Sequence, residues 1–147
     1  MARVLYCAKL LIDGTGTPPI EDAAICTEGD RIASVGKRAD YGSGFDGSMI
    51  DLGAQTILPG LIDCHNHLCL DASIPNWPAG FDVGDIELTL RAVRNMAADL
   101  QAGITTARCV GDRNFVDVHC KQAVGSGGLP GPAIIIATRG IRAPHGH

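Results

Sequence analysis

The rhythm of apolar and polar positions changes once along the chain, near Gln55. Before that point, short apolar runs alternate with turn residues. Val4 to Ile12 leads into Asp13-Gly14-Thr15-Gly16-Thr17-Pro18-Pro19, a dense turn cluster. Ala23 to Thr27 and Ile32 to Val35 flank Glu28-Gly29-Asp30-Arg31, which predicts two strands joined by a tight glycine-containing turn. Met49 to Gly53 predicts another short strand. Residues 1–55 are therefore expected to form a small antiparallel sheet.

From Thr56 the pattern is different. Thr56 to His67 is apolar on both faces up to a polar end, as in strands of parallel sheets covered by helices. Pro59-Gly60 interrupts it, so the regular strand is expected to begin at Leu61. Residues 71–84 carry Pro75, Pro78, Gly80 and Gly84 and predict a loop. A helix follows, with Asp85 as N-cap and Ile86, Leu90, Val93, Ala97 and Leu100 as its apolar stripe. Gly103 fits the residue just past its end. Ile104 to Val110 predicts a strand, Phe115 to Val124 a second helix, and Ala133 to Thr138 a third strand. That order is βαβαβ and implies a parallel sheet over residues 56–147.

Composition narrows the function classes. The chain has 147 residues, 46% hydrophobic and 19% charged, about one domain with enough apolar surface for a core. Its net charge is −4 and no block of five like charges occurs, so neither nucleic acid nor an acidic membrane surface is an expected partner. The longest strictly apolar run, Ala133 to Ala137, is far too short to span a bilayer. The N-terminus reads as the start of a fold rather than a signal peptide. Six cysteines (Cys7, Cys26, Cys64, Cys69, Cys109, Cys120) lie scattered, mostly in apolar runs and with no C-x-x-C. They read as buried thiols in a reducing compartment, and the expected location is cytoplasmic.

Four of the five histidines form two H-x-H pairs, His65/His67 and His145/His147. Alternate residues of a strand share a face, so His65 and His67 would present two imidazoles together at the end of the first parallel strand. Imidazole suits zinc and similar metals. Asp63, two residues earlier, could share that face. Cys64 and Cys69 flank the pair, but Cys64 should point to the opposite side. The second pair ends the chain, where a terminal or tag-like role competes with ligation. His119 falls within the second helix and reads as an ordinary helix residue.

The segment Leu58-Pro59-Gly60-Leu61-Ile62-Asp63-Cys64-His65-Asn66-His67 resembles the first barrel strand of the metal-dependent amidohydrolase superfamily. Gly103-Ile104-Thr105-Thr106-Ala107-Arg108 resembles its second strand. Gly131-Pro132 and Pro144-His145-Gly146-His147 are similar to the third-strand region of the imidazolonepropionase and prolidase-like branch. Residues 1–50 resemble the strands of the family's N-terminal β-sandwich. The resemblance implies an α/β fold: sandwich strands over 1–55, then roughly three βα units of a (β/α)₈ barrel over 56–147. It implies a divalent metal, with zinc the first expectation, held by His65 and His67. It implies metal-activated hydrolysis of C–N bonds in a small amide or dipeptide, with His145 contacting substrate. At His147 relatives often carry a small or acidic residue, so no role carries over.

A complete (β/α)₈ barrel takes ~250 residues, and residues 56–147 hold about three strands. The family's bridging lysine, later histidines and catalytic aspartate have no counterpart here, so no catalytic residue is assigned. The chain is expected to be the N-terminal part of such an enzyme, inactive alone, with an open sheet edge after its third strand. That edge would suit a complementing C-terminal chain or a second copy. A non-catalytic metal-binding or interaction protein derived from the fold is the alternative.

Overall fold

The computed structural model describes residues 2–71, 73–141 and 143–144. The chain divides into two compact units, Met1–Pro59 and Gly60–His147.

The first unit is one five-stranded sheet. Strands β1 (Arg3–Leu11), β2 (Ile20–Glu28) and β3 (Arg31–Lys37) form an antiparallel meander with a register shift at Cys26/Thr27. β4 (Ser48–Asp51) and β5 (Thr56–Ile57) then pair with β1, and both run parallel to it. The sheet is thus mixed, where an antiparallel one was expected, and among the described residues it has no second layer to make a sandwich. The reason is the connection after β3. Instead of hairpinning back, residues 38–47 open with a 3₁₀ turn at Arg38–Tyr41 and carry the chain to the free edge of β1. Tyr41 and Phe45 of this crossover pack edge to face, ring centroids 6.2 Å apart, on the buried cluster Leu5, Cys7, Ala24 and Cys26. Thr56–Ile57 belongs to this sheet, so the division falls at Pro59 rather than Gln55.

The second unit is a three-stranded parallel sheet in the order β6 (Leu61–Asn66), β7 (Ile104–Cys109), β8 (Ala133–Ile136). Two long helices follow the first two strands: α2 (Asp85–Gln101) and α3 (Val116–Gly125). A one-turn helix, α1 (Trp77–Gly80), lies in the segment expected to be all loop. The core joins Leu68, Leu88, Ala92, Met96, Cys109, Val116, Cys120 and Ile134. Gly60 enters β6 against Thr105, whose Cβ would lie 2.7 Å from any Cβ at position 60. Only glycine fits that approach without displacing the β-branched side chain.

α2 turns the Ile86–Leu90 part of its predicted stripe outward, while Val93 packs against the core. Leu88, Arg91, Ala92 and Met96 are buried, whereas Ile86 is 80% and Leu90 66% exposed. Asp85 is the first helical residue and Gly84 holds the N-cap position. Asp85 and Glu87 sit in the first turn, where the helix dipole favours negative charge. Two apolar stripes compete on this helix. The one containing Leu88 wins because Arg91, which interrupts it, finds buried acceptors.

Candidate metal-ligating site

β6 ends in a bulge. Asp63 pairs with Ala107 and Asn66 with Cys109, so β6 spends one residue more than β7 over the same span. The bulge breaks the simple alternation from which the histidine geometry was read. Asp63 is taken out of the histidine set: its carboxylate accepts the His65 amide (3.0 Å) and the Asn66 side-chain amide (3.1 Å). The Asn66 amide also donates to Asp99 Oδ2 of α2 at 3.2 Å. Burial raises the Asp99 carboxyl above the ordinary carboxylate range, although the Asn66 bond opposes this.

The His65 and His67 rings are adjacent, with centroids 5.4 Å apart and planes at 67°. His67 Nδ1 lies 2.7 Å from the carbonyl oxygen of Gly111, in the turn after β7. A carbonyl can only accept, so Nδ1 carries a proton, and in the neutral ring Nε2 then keeps its lone pair. That is the form in which an imidazole ligates a metal while its other nitrogen is anchored.

The turn following the histidines is clamped from two sides. Asp112, buried, accepts the amides of Leu68 (3.1 Å) and Cys69 (2.9 Å). Asn95 of α2 donates to the carbonyls of Leu68 and Leu70, both at 2.8 Å. Arg91 donates to Gly80 O (2.6 Å) and Cys69 O (3.4 Å) and pairs with Glu87 at 2.8 Å. Burial is the main reason the Asp112 carboxyl is raised, although the Cys69 and Leu68 amides oppose it. Sequence reasoning missed Gly111, Asp112, Arg91 and Asn95. Their signal was faint: two polar residues four apart inside an apolar helical stripe, and a Gly-Asp pair after a strand.

Arg108 of β7 donates to the Cys64 carbonyl at 3.4 Å and shares its register position with Ile135 of β8. His119 is exposed on α3, as expected of an ordinary helix residue. His145 and His147 lie outside the described residues.

The two imidazoles fit the histidine part of a divalent-metal site in donor chemistry and proximity. Among the described residues, no group of three or more His, Cys, Asp or Glu forms a fuller donor set. A catalytic zinc typically takes three protein ligands and a structural one four.

No protein-family model matches the chain. Imidazolonepropionase of Pseudomonas aeruginosa (strain LESB58) is 40% identical over 62 residues, covering 42% of this chain and 15% of that protein. The crystal structure of a Xaa-Pro dipeptidase with bound methionine in the active site superposes with a TM-score of 0.78 and 28% identity, over 94% of this chain and 34% of that one. An amidohydrolase crystal structure gives a TM-score of 0.74 and 31% identity, over 94% and 32%. The chain therefore spans about a third of the solved structures it matches, and its alignment covers less of the curated relative.

Proposed function

We infer, from this chain's membership of the amidohydrolase superfamily and the partial span it shares with those proteins, that it supplies the first metal-binding strand of a hydrolase. The bond class is C–N, in a small amide or dipeptide. One observation carries this reading: two adjacent imidazoles end a parallel strand, and one of them has its lone-pair nitrogen free. His65 and His67 would hold the metal, zinc first. When bound, such a metal would lower the pKa of its bound water and polarise the scissile carbonyl. The chain's own residues do the rest of what is visible. Gly111 and Asp112 hold the His67 segment, and the bulge places His65 beside it. This parallel unit would be the opening part of a (β/α)₈ barrel, and His145 would meet substrate. The six free thiols, five of them buried, support a reducing, cytoplasmic setting. Among the described residues, no helix is long and apolar enough to cross a membrane.

Cobalt(II) titration followed by its visible ligand-field bands tests the metal site. Binding by the wild-type chain should be lost in His65→Ala and in His67→Ala. Equal binding by all three proteins would overturn the reading.

A second observation favours a partner polypeptide. Ile62, Thr106 and Ala133 are register partners, so they share one face of the sheet, and Ile62 is 65% exposed. Ile135, on the same face as Arg108, is 54% exposed. β6 and β8 each have one unpaired edge within this sheet. An apolar face flanked by open parallel edges suits further βα units, from a complementing C-terminal chain.

A further inference from the structure

We propose that the turn Val110-Gly111-Asp112 is a positioning clip that presets His67 as the Nδ1–H tautomer before any metal arrives. The purpose of the clip rests on the metal-site reading above; its existence does not.

The turn reads the histidine segment in register. Val110 N donates to Asn66 O at 3.0 Å, on one side of His67. Gly111 O takes the His67 ring proton at 2.7 Å. The Asp112 carboxylate takes the amides of Leu68 and Cys69, on the other side. The backbone is thus held before and after the ring, and the ring is held between. Val110 and Asp112 fix the backbone that carries the ring, and the Gly111 carbonyl holds the ring itself.

The clip is itself fixed. Asp112 N donates to Thr138 O at 3.0 Å, tying the turn to the exit of β8. Gly111 has φ +143°, and a Cβ there would lie 3.3 Å from Gly140 N. Any larger residue would therefore tilt the carbonyl that holds His67. Asp112 faces two N–H donors with two carboxylate oxygens. Asparagine could accept only one of them and would oppose an NH₂ group to the other. His65 provides the contrast: its ring nitrogens have no hydrogen-bond partner among the described residues, so none of these residues selects its tautomer.

Asp112 and Gly111 are positioning residues, and the decisive readout is tautomer state. Long-range ¹H–¹⁵N spectra of the metal-free 147-residue chain at alkaline pH should show His67 protonated at Nδ1 and bare at Nε2. His65 should show a mixture. In Asp112→Asn and Gly111→Ala, His67 should become a mixture as well, and zinc affinity should fall about 10–100-fold, as for other outer-shell ligands. Leu88→Ala is the control for general damage. Leu88 is fully buried in the core of the same unit and its side chain makes no hydrogen bond to the clip, to Thr138 or to the His67 segment. A wild-type His67 carrying its proton on Nε2 overturns the proposal, and that measurement needs no variant. So does a tautomer unchanged in Asp112→Asn, or disturbed as much by Leu88→Ala. A preset His67 with no histidine-dependent metal binding would instead leave the clip standing and sink the metal reading.

Discussion

Asp71 shows how much local order one half-buried carboxylate can carry. The Ser73 hydroxyl and amide donate to Oδ1 at 2.6 and 3.0 Å, and Arg94 reaches Oδ2 at 2.9 Å. These bonds, the Ser73 hydroxyl first, hold its carboxyl well below the usual carboxylate range. A depressed folded value means the stabilisation is present above the unfolded value of about 4 and is lost as pH falls through the folded one. Protection of the Ser73 amide, its exchange relative to a free amide at the same pH, should therefore be high at pH 5 and fall as the carboxylate is protonated in acid. Asp71→Asn should exchange faster already at pH 5. An acid-insensitive Ser73 amide would show that the tie contributes nothing in solution. Asp112 has the opposite sign. Burial raises its carboxyl, so its contribution is complete at low pH and weakens as pH rises through the raised value. The buried thiols follow the same logic, with burial pushing Cys109 up to about 12 and Cys120 up to about 11.

α2 is the element where periodicity and structure part company. Both the Ile86–Leu90 row and the Leu88–Ala92–Met96 row have helical spacing, so spacing alone cannot choose between them. The choice is made by what β7, α3 and the turn after β6 offer. Leu88→Ala should destabilise the unit by about 2–5 kcal/mol, the usual cost of a truncated core side chain. Ile86→Ala should change it by no more than about 0.5 kcal/mol, because the side chain is already in water. Urea midpoints for the two variants measure the contrast directly. Equal losses would mean that the outward row is packed in solution. At the next turn, Asn114 and Phe115 both have positive φ (54° and 60°) before α3 begins. Arg139 lies over the Phe115 ring at 4.7 Å, and Asn114 donates to Asp85 at 2.5 Å. These contacts offset a backbone that non-glycine residues rarely adopt.

For the whole molecule, two histidines leave a metal short of the three protein ligands usual in a catalytic zinc site. The isolated chain is therefore expected to show no turnover of dipeptides or N-acyl amino acids with Zn²⁺, Co²⁺ or Mn²⁺. General acid–base groups alone typically supply about 10²–10⁴-fold, and among the described residues no third His, Cys, Asp or Glu joins His65 and His67 in a ligand set. Its open sheet face should also make it prone to self-association, detectable by light scattering. Hydrolysis should begin only when a second polypeptide, or an in-frame continuation beyond His147, brings a strand-borne lysine, two histidines and an aspartate. Turnover by the 147 residues alone, metal-dependent and abolished by His65→Ala, would contradict the partial-site reading.

The sequence by itself determined the element order, the start of the parallel unit at Leu61, and the two-residue spacing of His65 and His67 at its end. Those features depend on local propensity, on glycine and proline placement, and on spacing within one strand. Tertiary structure decided the rest. It made the first sheet mixed, because residues 38–47 cross to the far edge of β1. It selected the buried row of α2, because only packing partners distinguish two equal periodicities. It removed Asp63 from the histidine set through a bulge that needs β7 as its reference. It also brought Gly111 onto His67, and Asp112 onto the Leu68 and Cys69 amides, from more than forty residues away. Contacts of that range arise from how the strands pair, and no single segment encodes them.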